Sequence, residues 1–172
     1  MGALSSGRRA VVSGFSIRDA AWPRDEQAVL AFIDGLQRFE HGFEPNRRID
    51  AAVAAEYRDV LMSAVAEKGG IVRVAEADGH AVGWTVGWPE LDALYVVEHE
   101  RRYFYISELY VEDGMRGRGI GRALIASCED WARGQGIAIS RIGVIHDNDG
   151  ASATYARAGY APYAIRLTKR IG

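Results

Sequence analysis

Arg116-Gly117-Arg118-Gly119-Ile120-Gly121 is the stretch on which the reading of this chain turns. Before it, Tyr103 to Val111 is rich in aromatic and branched residues and reads as a strand. After it, Ile120, Leu124, Cys128 and Trp131 recur on one helical stripe that stops at Gly134-Gln135-Gly136. The glycines therefore occupy a strand-to-helix turn. The first N–H groups of a helix lack partners within it, and with the positive end of the helix dipole they form an anion site, most naturally for a pyrophosphate. Glycines at alternate positions let a ligand approach the backbone without Cβ interference. Arg116, Arg118 and Arg122 can add charge-assisted contacts at the rim.

Moving back from the turn, the alternation of the preceding strand breaks. Leu109 and Val111 share one parity, whereas the apolar Phe104 and Ile106 share the other. One extra residue near Ser107-Glu108 reconciles the two faces, which predicts a β-bulge, a device often found beside active sites. Upstream, Ile71 to Glu76 and Ala81 to Trp88 read as a hairpin around Asp78-Gly79, ended by Pro89. Two amphipathic helices come before it. One carries Val29, Phe32, Ile33, Leu36 and Phe39. The other carries Ile49, Val53, Tyr57, Val60, Leu61 and Val65, with Asp50 as its cap and Gly69-Gly70 as its end. Phe15 to Arg18 is a short strand, and the opening residues 1–14 read as a flexible tail. Downstream lie a strand over Ile137 to Ile145, a short helix over Ala151 to Ala158 ending at Gly159, and a last strand over Tyr160 to Ile171. The order is β-α-α-β-β-β-α-β-α-β, with one domain spanning 15–172.

Composition agrees with a single globular unit. The chain has 172 residues, 48% hydrophobic and 26% charged, and its net charge of -2 lacks the basic footprint of a nucleic-acid binder. No apolar run is long enough to span a membrane, and the start lacks the apolar core of a signal peptide, so a cytoplasmic address is expected. Met1 to Ser6 fits the loose N-myristoylation pattern but reads as a frayed end. Cys128 is the sole cysteine and sits on an apolar stripe, the place of a core thiol rather than a nucleophile. The histidines His41, His80, His99 and His146 show no ligand spacing, so no metal is expected.

Two phosphate-binding loops fail on spacing. A P-loop ends in Gly-Lys-Ser/Thr, and here Gly121 is followed by Arg122-Ala123. A dinucleotide fingerprint needs G-x-G-x-x-G near the start of a parallel sheet, whereas these glycines fall as G-x-G-x-G late in the chain.

The stretch from Ile106 to Tyr163 resembles the GNAT superfamily of acyl-CoA-dependent N-acetyltransferases. Its pyrophosphate loop reads Arg/Gln-x-x-Gly-x-Gly/Ala, matched by Arg116, Gly119 and Gly121, and its later Asn-x-x-Ala-x-x-Leu-Tyr is matched by Asn148, Ala151 and Tyr155. A Gly-aromatic pair follows at Gly159-Tyr160, and Thr154 stands where Leu is usual, which bears on the packing of that short helix. The resemblance implies an α/β (α+β) single domain, a mixed twisted sheet flanked by helices, its bulged central strand splayed around an acyl-CoA cleft. It implies acetyl-CoA as co-substrate and a small-molecule or peptide amine as acceptor, with acetyl transfer by direct attack. It further implies that Leu109 and Val111 hold the pantetheine arm through their backbones. Gly117, Arg118 and Arg122 join the cofactor loop, and Asn148 orders the cleft mouth. Tyr155 is then the acid that protonates the leaving thiolate.

The general base is read from the residues themselves. Glu108 lies beside the expected bulge, where a carboxylate can take the proton of an attacking amine directly or through one water. A solvated strand glutamate is the plain alternative. At the level of the whole protein, the alternatives are a non-catalytic acyl-CoA-binding or regulatory module of the same fold, and a dinucleotide-binding domain. Trp84 and Trp88 are expected in the core and one pocket wall. The acceptor walls are expected from Phe39 to Asp50 and from Glu90 to Arg102, whose acids suit a cationic amine, the alternative being that Arg47, Arg48, Arg101 and Arg102 beside them simply neutralise those charges. A homodimer is an ordinary assembly for such a domain.

Overall fold

The structure, a computed structural model, describes residues 11–12 and 14–172. The tail expected over 1–14 and the pattern at Met1 to Ser6 fall mainly on residues 1–10 and 13, outside those described. Within that stretch Val11–Val12 (β1) pair with Ser16 and Phe15 of β2 (Phe15–Asp19). The chain continues through α1 (Glu26–His41), α2 (Val53–Lys68), β3 (Ile71–Ala77), β4 (His80–Leu91), the single turn α3 (Glu98–Arg101), β5 (Arg102–Val111), α4 (Ile120–Gly134), β6 (Ile139–Ile142) and α5 (Asp149–Arg157). The six strands lie in sequence order, antiparallel except for the parallel pair β5–β6.

Helices cover both faces of the sheet. The α1 and α2 stripes bury Val29, Phe32, Ile33 and Leu61 against Val74, Trp84 and Val86. On the opposite face, α4 buries Leu124, Ile125 and Cys128 against Ala75, Val82, Phe104 and Ile106. β4 is thus covered on both sides, and its residues Val82 to Trp88 are buried without interruption rather than alternating. Asp25 fixes the start of α1, where its carboxylate accepts from Arg18 at 2.6 and 2.8 Å and from the Ala21 N–H at 2.7 Å. Arg18 also reaches Glu76 at 2.8 Å, so an ion network ties α1 to β2 and β3. The second helix starts at Val53 after Ala52, with Asp50 accepting from the Ala52 N–H in the preceding turn instead of capping the helix.

Three expectations are corrected at strand ends. Pro89 does not end its strand, for β4 continues to Leu91 with Pro89 opposite Phe104. β3 stops opposite Gly87, so β4 is an edge on that side at Pro89 and the missing N–H deprives no partner. The strand expected over Ile137 to Ile145 shrinks to Ile139–Ile142. Tyr160 to Ile171, despite its alternating apolar residues, forms no strand: Tyr163 stacks on the Arg141 guanidinium at 4.1 Å, while Ile165 and Leu167 stay exposed without backbone pairing.

Candidate functional site: a cleft where two strands part

β5 and β6 pair from Tyr103 with Ile139 to Ile106 with Ile142, and no further. Beyond Ile106, β5 runs on beside β4 alone. The gap opens into a cleft of ≈ 560 Å³ bounded by Ser107 to Val111, by Ile142 and Gly143 across from them, by the glycine turn, by α5, and by Leu36, Phe39 and Glu40 of α1. The bulge sits at its floor. Val86 lies opposite Glu108 and Gly87 opposite Ile106, which leaves Ser107 as the extra residue, as the broken alternation predicts. Two core residues accommodate it. Thr85, fully buried, donates its hydroxyl to the Glu108 carbonyl at 2.8 Å, and any Cβ at Gly87 would meet the Tyr105 carbonyl at 2.5 Å.

The bulge decides where Glu108 points. Phe104 and Ile106 face α4, and Leu109 and Val111 return to that face, so Glu108 and Tyr110 turn toward α1 and α2. An unbroken strand would send Glu108 the other way. Its carboxylate accepts from the Tyr57 hydroxyl at 2.5 Å, with Ser107 Oγ at 3.4 Å. Burial pushes the Glu108 carboxyl up to about 7, with Tyr57 opposing the rise and the charge of Glu40 adding to it. Glu40 is itself raised by burial and is paired to Arg47 at 2.9 Å.

At the other end of the cleft, Gly119 precedes α4 with a left-handed backbone, φ +83°, and Gly117 has φ +75°. Among the described residues, chain neighbours aside, no atom lies within 4 Å of a Cβ built on either glycine, so the turn presents bare backbone to open space. The helix starts without a side-chain cap, and its first internal bond is from Ala123 N–H to the Gly119 carbonyl. The N–H groups of Ile120, Gly121 and Arg122 are therefore left outward. The donor set suits a pyrophosphate. Arg116 donates from Nε to the Val111 carbonyl at 3.0 Å, pairs with Asp113, and lies 4.9 Å from the Phe39 ring centre. Arg122 lines the rim, whereas Arg118 turns aside to the Gly114 carbonyl.

Asn148 explains half of the second motif. Its side chain caps α5, accepting from the Ala151 N–H at 3.1 Å, so the Asn-x-x-Ala spacing is that of an N-cap and the third residue of the helix. The cap orients α5 and with it Tyr155, whose hydroxyl makes no hydrogen bond among the described residues and whose ionisation is pushed up by burial. Thr154 bonds back to the Gly150 carbonyl at 2.9 Å, a use for the hydroxyl where Leu would pack.

The structure brings Glu108, Leu109, Val111, Arg116, Gly117, Gly119, Gly121, Arg122, Asn148 and Tyr155 to one cleft, and leaves Arg118 outside its lining. The segment Glu90 to Arg102 does not form a wall. It joins β4 to β5 at the end of the sheet opposite the glycine turn; Glu90, Asp92 and Glu98 pair with Lys68, Arg141 and Arg101, and Glu100 lies 3.9 Å from the His99 ring. Trp84 and Trp88 are buried in the core and line no part of the cleft. Tyr57 escaped notice because it falls on the apolar stripe of its helix. The available signal was that a buried tyrosine hydroxyl must find a partner. Among the described residues no group of His, Cys, Asp and Glu could hold a metal, and no helix is long and apolar enough to cross a membrane.

The model of the acetyltransferase (GNAT) family matches residues 33–160. An uncharacterized N-acetyltransferase of Methanocaldococcus jannaschii is 33% identical over 104 residues, covering 57% of this chain and 44% of that protein. N-acetyltransferase 8B of Homo sapiens is 33% identical over 90 residues, covering 52% and 38%. The matches thus span under half the length of these curated relatives. The fold is that of the crystal structure of a GCN5-related N-acetyltransferase from Ralstonia eutropha, with a TM-score of 0.71 at 24% identity, covering 92% of this chain and 100% of that one.

Proposed function

Because the chain belongs to the acetyltransferase (GNAT) family, we propose that it moves an acetyl group from acetyl-CoA to the primary amine of a small molecule or peptide by direct attack. The observation that carries the reading is the parting of β5 from β6 between an uncapped, glycine-lined helix start and a raised carboxyl. In this reading the pyrophosphate lies on the N–H groups of Ile120 to Arg122, and the Cβ-free surface of Gly117 and Gly119 admits it. The pantetheine arm runs along the open edge of Leu109 to Val111. There, backbone donors face the carbonyl oxygen as it gains charge. Arg116 lets go of the Val111 carbonyl to meet the phosphates.

The bound thioester supplies the electrophilic carbonyl carbon. Glu108 takes a proton from the amine, directly or through one water, as the new N–C bond forms. Tyr155 gives its hydroxyl proton to the sulfur as the C–S bond breaks. The products are the acetylated amine and free CoA. Burial keeps the Tyr155 phenol protonated, so its proton is in place when the C–S bond breaks. Titration calorimetry with acetyl-CoA, followed by thiol release across polyamines, amino acids, aminoglycosides and peptides, tests the proposal. Binding with release dependent on one amine class supports it, and absence of binding at millimolar acetyl-CoA overturns it.

A further inference from the structure

Helix α2 contributes nothing to the cleft lining among the described residues, yet one of its side chains reaches through to a cleft carboxylate. Tyr57 lies one turn before buried Leu61, with its ring against the α1–α2 core. The hydroxyl passes between helix and sheet to Glu108. We propose that Tyr57 is a positioning residue, fixing the Glu108 carboxylate and setting the pH at which it becomes able to accept a proton from the acceptor amine. The inference rests on the acetyl-transfer reading for its catalytic consequence, while the contact itself does not.

Every charged or titratable group facing Glu108 bears on this. From α1 comes Glu40, whose negative charge opposes ionisation, and from the α1–α2 connection Arg47, which favours it. From β5 come Ser107, whose hydroxyl is a long 3.4 Å donor, and Tyr105; from α5 comes Tyr155. Among the described residues Tyr57 alone offers a short, direct donor to the charged form, so it opposes the burial that favours the neutral form. Its removal should leave the carboxyl protonated to higher pH. It should also free the carboxylate to rotate away from the cleft axis.

The test is a carbon-13 titration of the Glu108 carboxyl in intact protein, assigned with Glu108→Gln, alongside the pH profile of kcat/KM. Tyr57→Phe should raise the Glu108 midpoint by about 1–2 pH units, the worth of a hydrogen bond to a charged group. Ser107→Ala should move it less. Tyr57→Leu, which keeps an apolar side chain in the layer, should repeat the Tyr57→Phe shift. The acidic limb of kcat/KM should follow the titration, and the high-pH plateau should fall several-fold as the carboxylate loses its fixed orientation. An unmoved midpoint in a folded Tyr57→Phe protein overturns the proposal, as does a fallen plateau with an unmoved limb, the mark of a merely structural tyrosine. If the titration shifts as expected and no amine is acetylated, the transfer reading fails and the Tyr57 assignment to the carboxylate stands.

Discussion

Replacing Glu108 by glutamine should stabilise this protein in alkali and do little in acid. The carboxyl is raised from an ordinary value near 4.5 to about 7, chiefly by burial, so the folded state holds its proton more tightly than the unfolded chain does. Wherever the folded state binds more protons, stability falls as pH rises. The penalty is absent below about pH 4.5, grows between 4.5 and 7, and is constant above. A shift of about 2.5 pH units at 1.36 kcal/mol each gives about 3 kcal/mol at pH 8.5 and less than ~1 kcal/mol at pH 5. Glutamine keeps the shape and the oxygen that accepts from Tyr57 but has no charge to bury. Urea unfolding of both proteins at pH 5 and 8.5 measures the difference, which corresponds to roughly 6–12 °C in melting temperature at the higher pH for a domain of this size. Equal stabilities at both pH values would show that folding leaves this carboxyl unperturbed, and its candidacy as a base poised near neutrality would fall with it. The same substitution should abolish the base, so a gain in stability at the expense of turnover is the expected signature of a functional group held where packing disfavours it.

Tyr155→Phe should lower turnover roughly 10–100-fold with acetyl-CoA affinity nearly unchanged, since only a hydroxyl serving the transition state is lost; unchanged turnover under rate-limiting chemistry removes it from the mechanism. Gly119→Val should fold with strain at φ +83° and bind acetyl-CoA weakly, because a branched side chain enters the space above the N–H groups; normal binding by calorimetry refutes the cradle. Cys128, buried and pushed up to about 12, should resist aromatic disulfide reagents in the native protein and react only on unfolding, and fast native labelling would contradict its burial.

Much of the fold was legible because its signals are local. The glycine turn, the two helical stripes before the hairpin, and the parity break at Ser107 each announce their own geometry within a few residues. The bulge is the clearest instance, since two apolar pairs of opposite parity in one strand confine an extra residue to Ser107 or Glu108, between which the pairing with β4 selects Ser107. What the sequence hid depends on distant partners. Tyr160 to Ile171 alternates as a strand does, but alternation cannot supply a neighbour, and the segment instead follows a tyrosine onto Arg141. Likewise the acids of Glu90 to Arg102 look like a charged mouth until the sheet places them at the far end; Arg101 beside Glu98 was legible as a neutralising neighbour, whereas Lys68 and Arg141 come from distant elements. Tyr57 was invisible for a related reason. Helical periodicity reports which face a residue occupies, and says nothing of what its hydroxyl reaches on another element.

The parting of β5 from β6 leaves a row of peptide groups whose chemistry is the same whatever side chains they carry. On the reading proposed here, the donor is gripped largely by this main-chain surface and by the bare turn before α4. Side chains around the cleft other than Arg116 can then be exchanged with the grip largely intact. Tolerance to substitution should accordingly be distributed unevenly. On the same reading, the damaging changes are those that alter the path of the backbone, above all at Gly117 and Gly119, whose positive φ and open surroundings no other residue reproduces without strain.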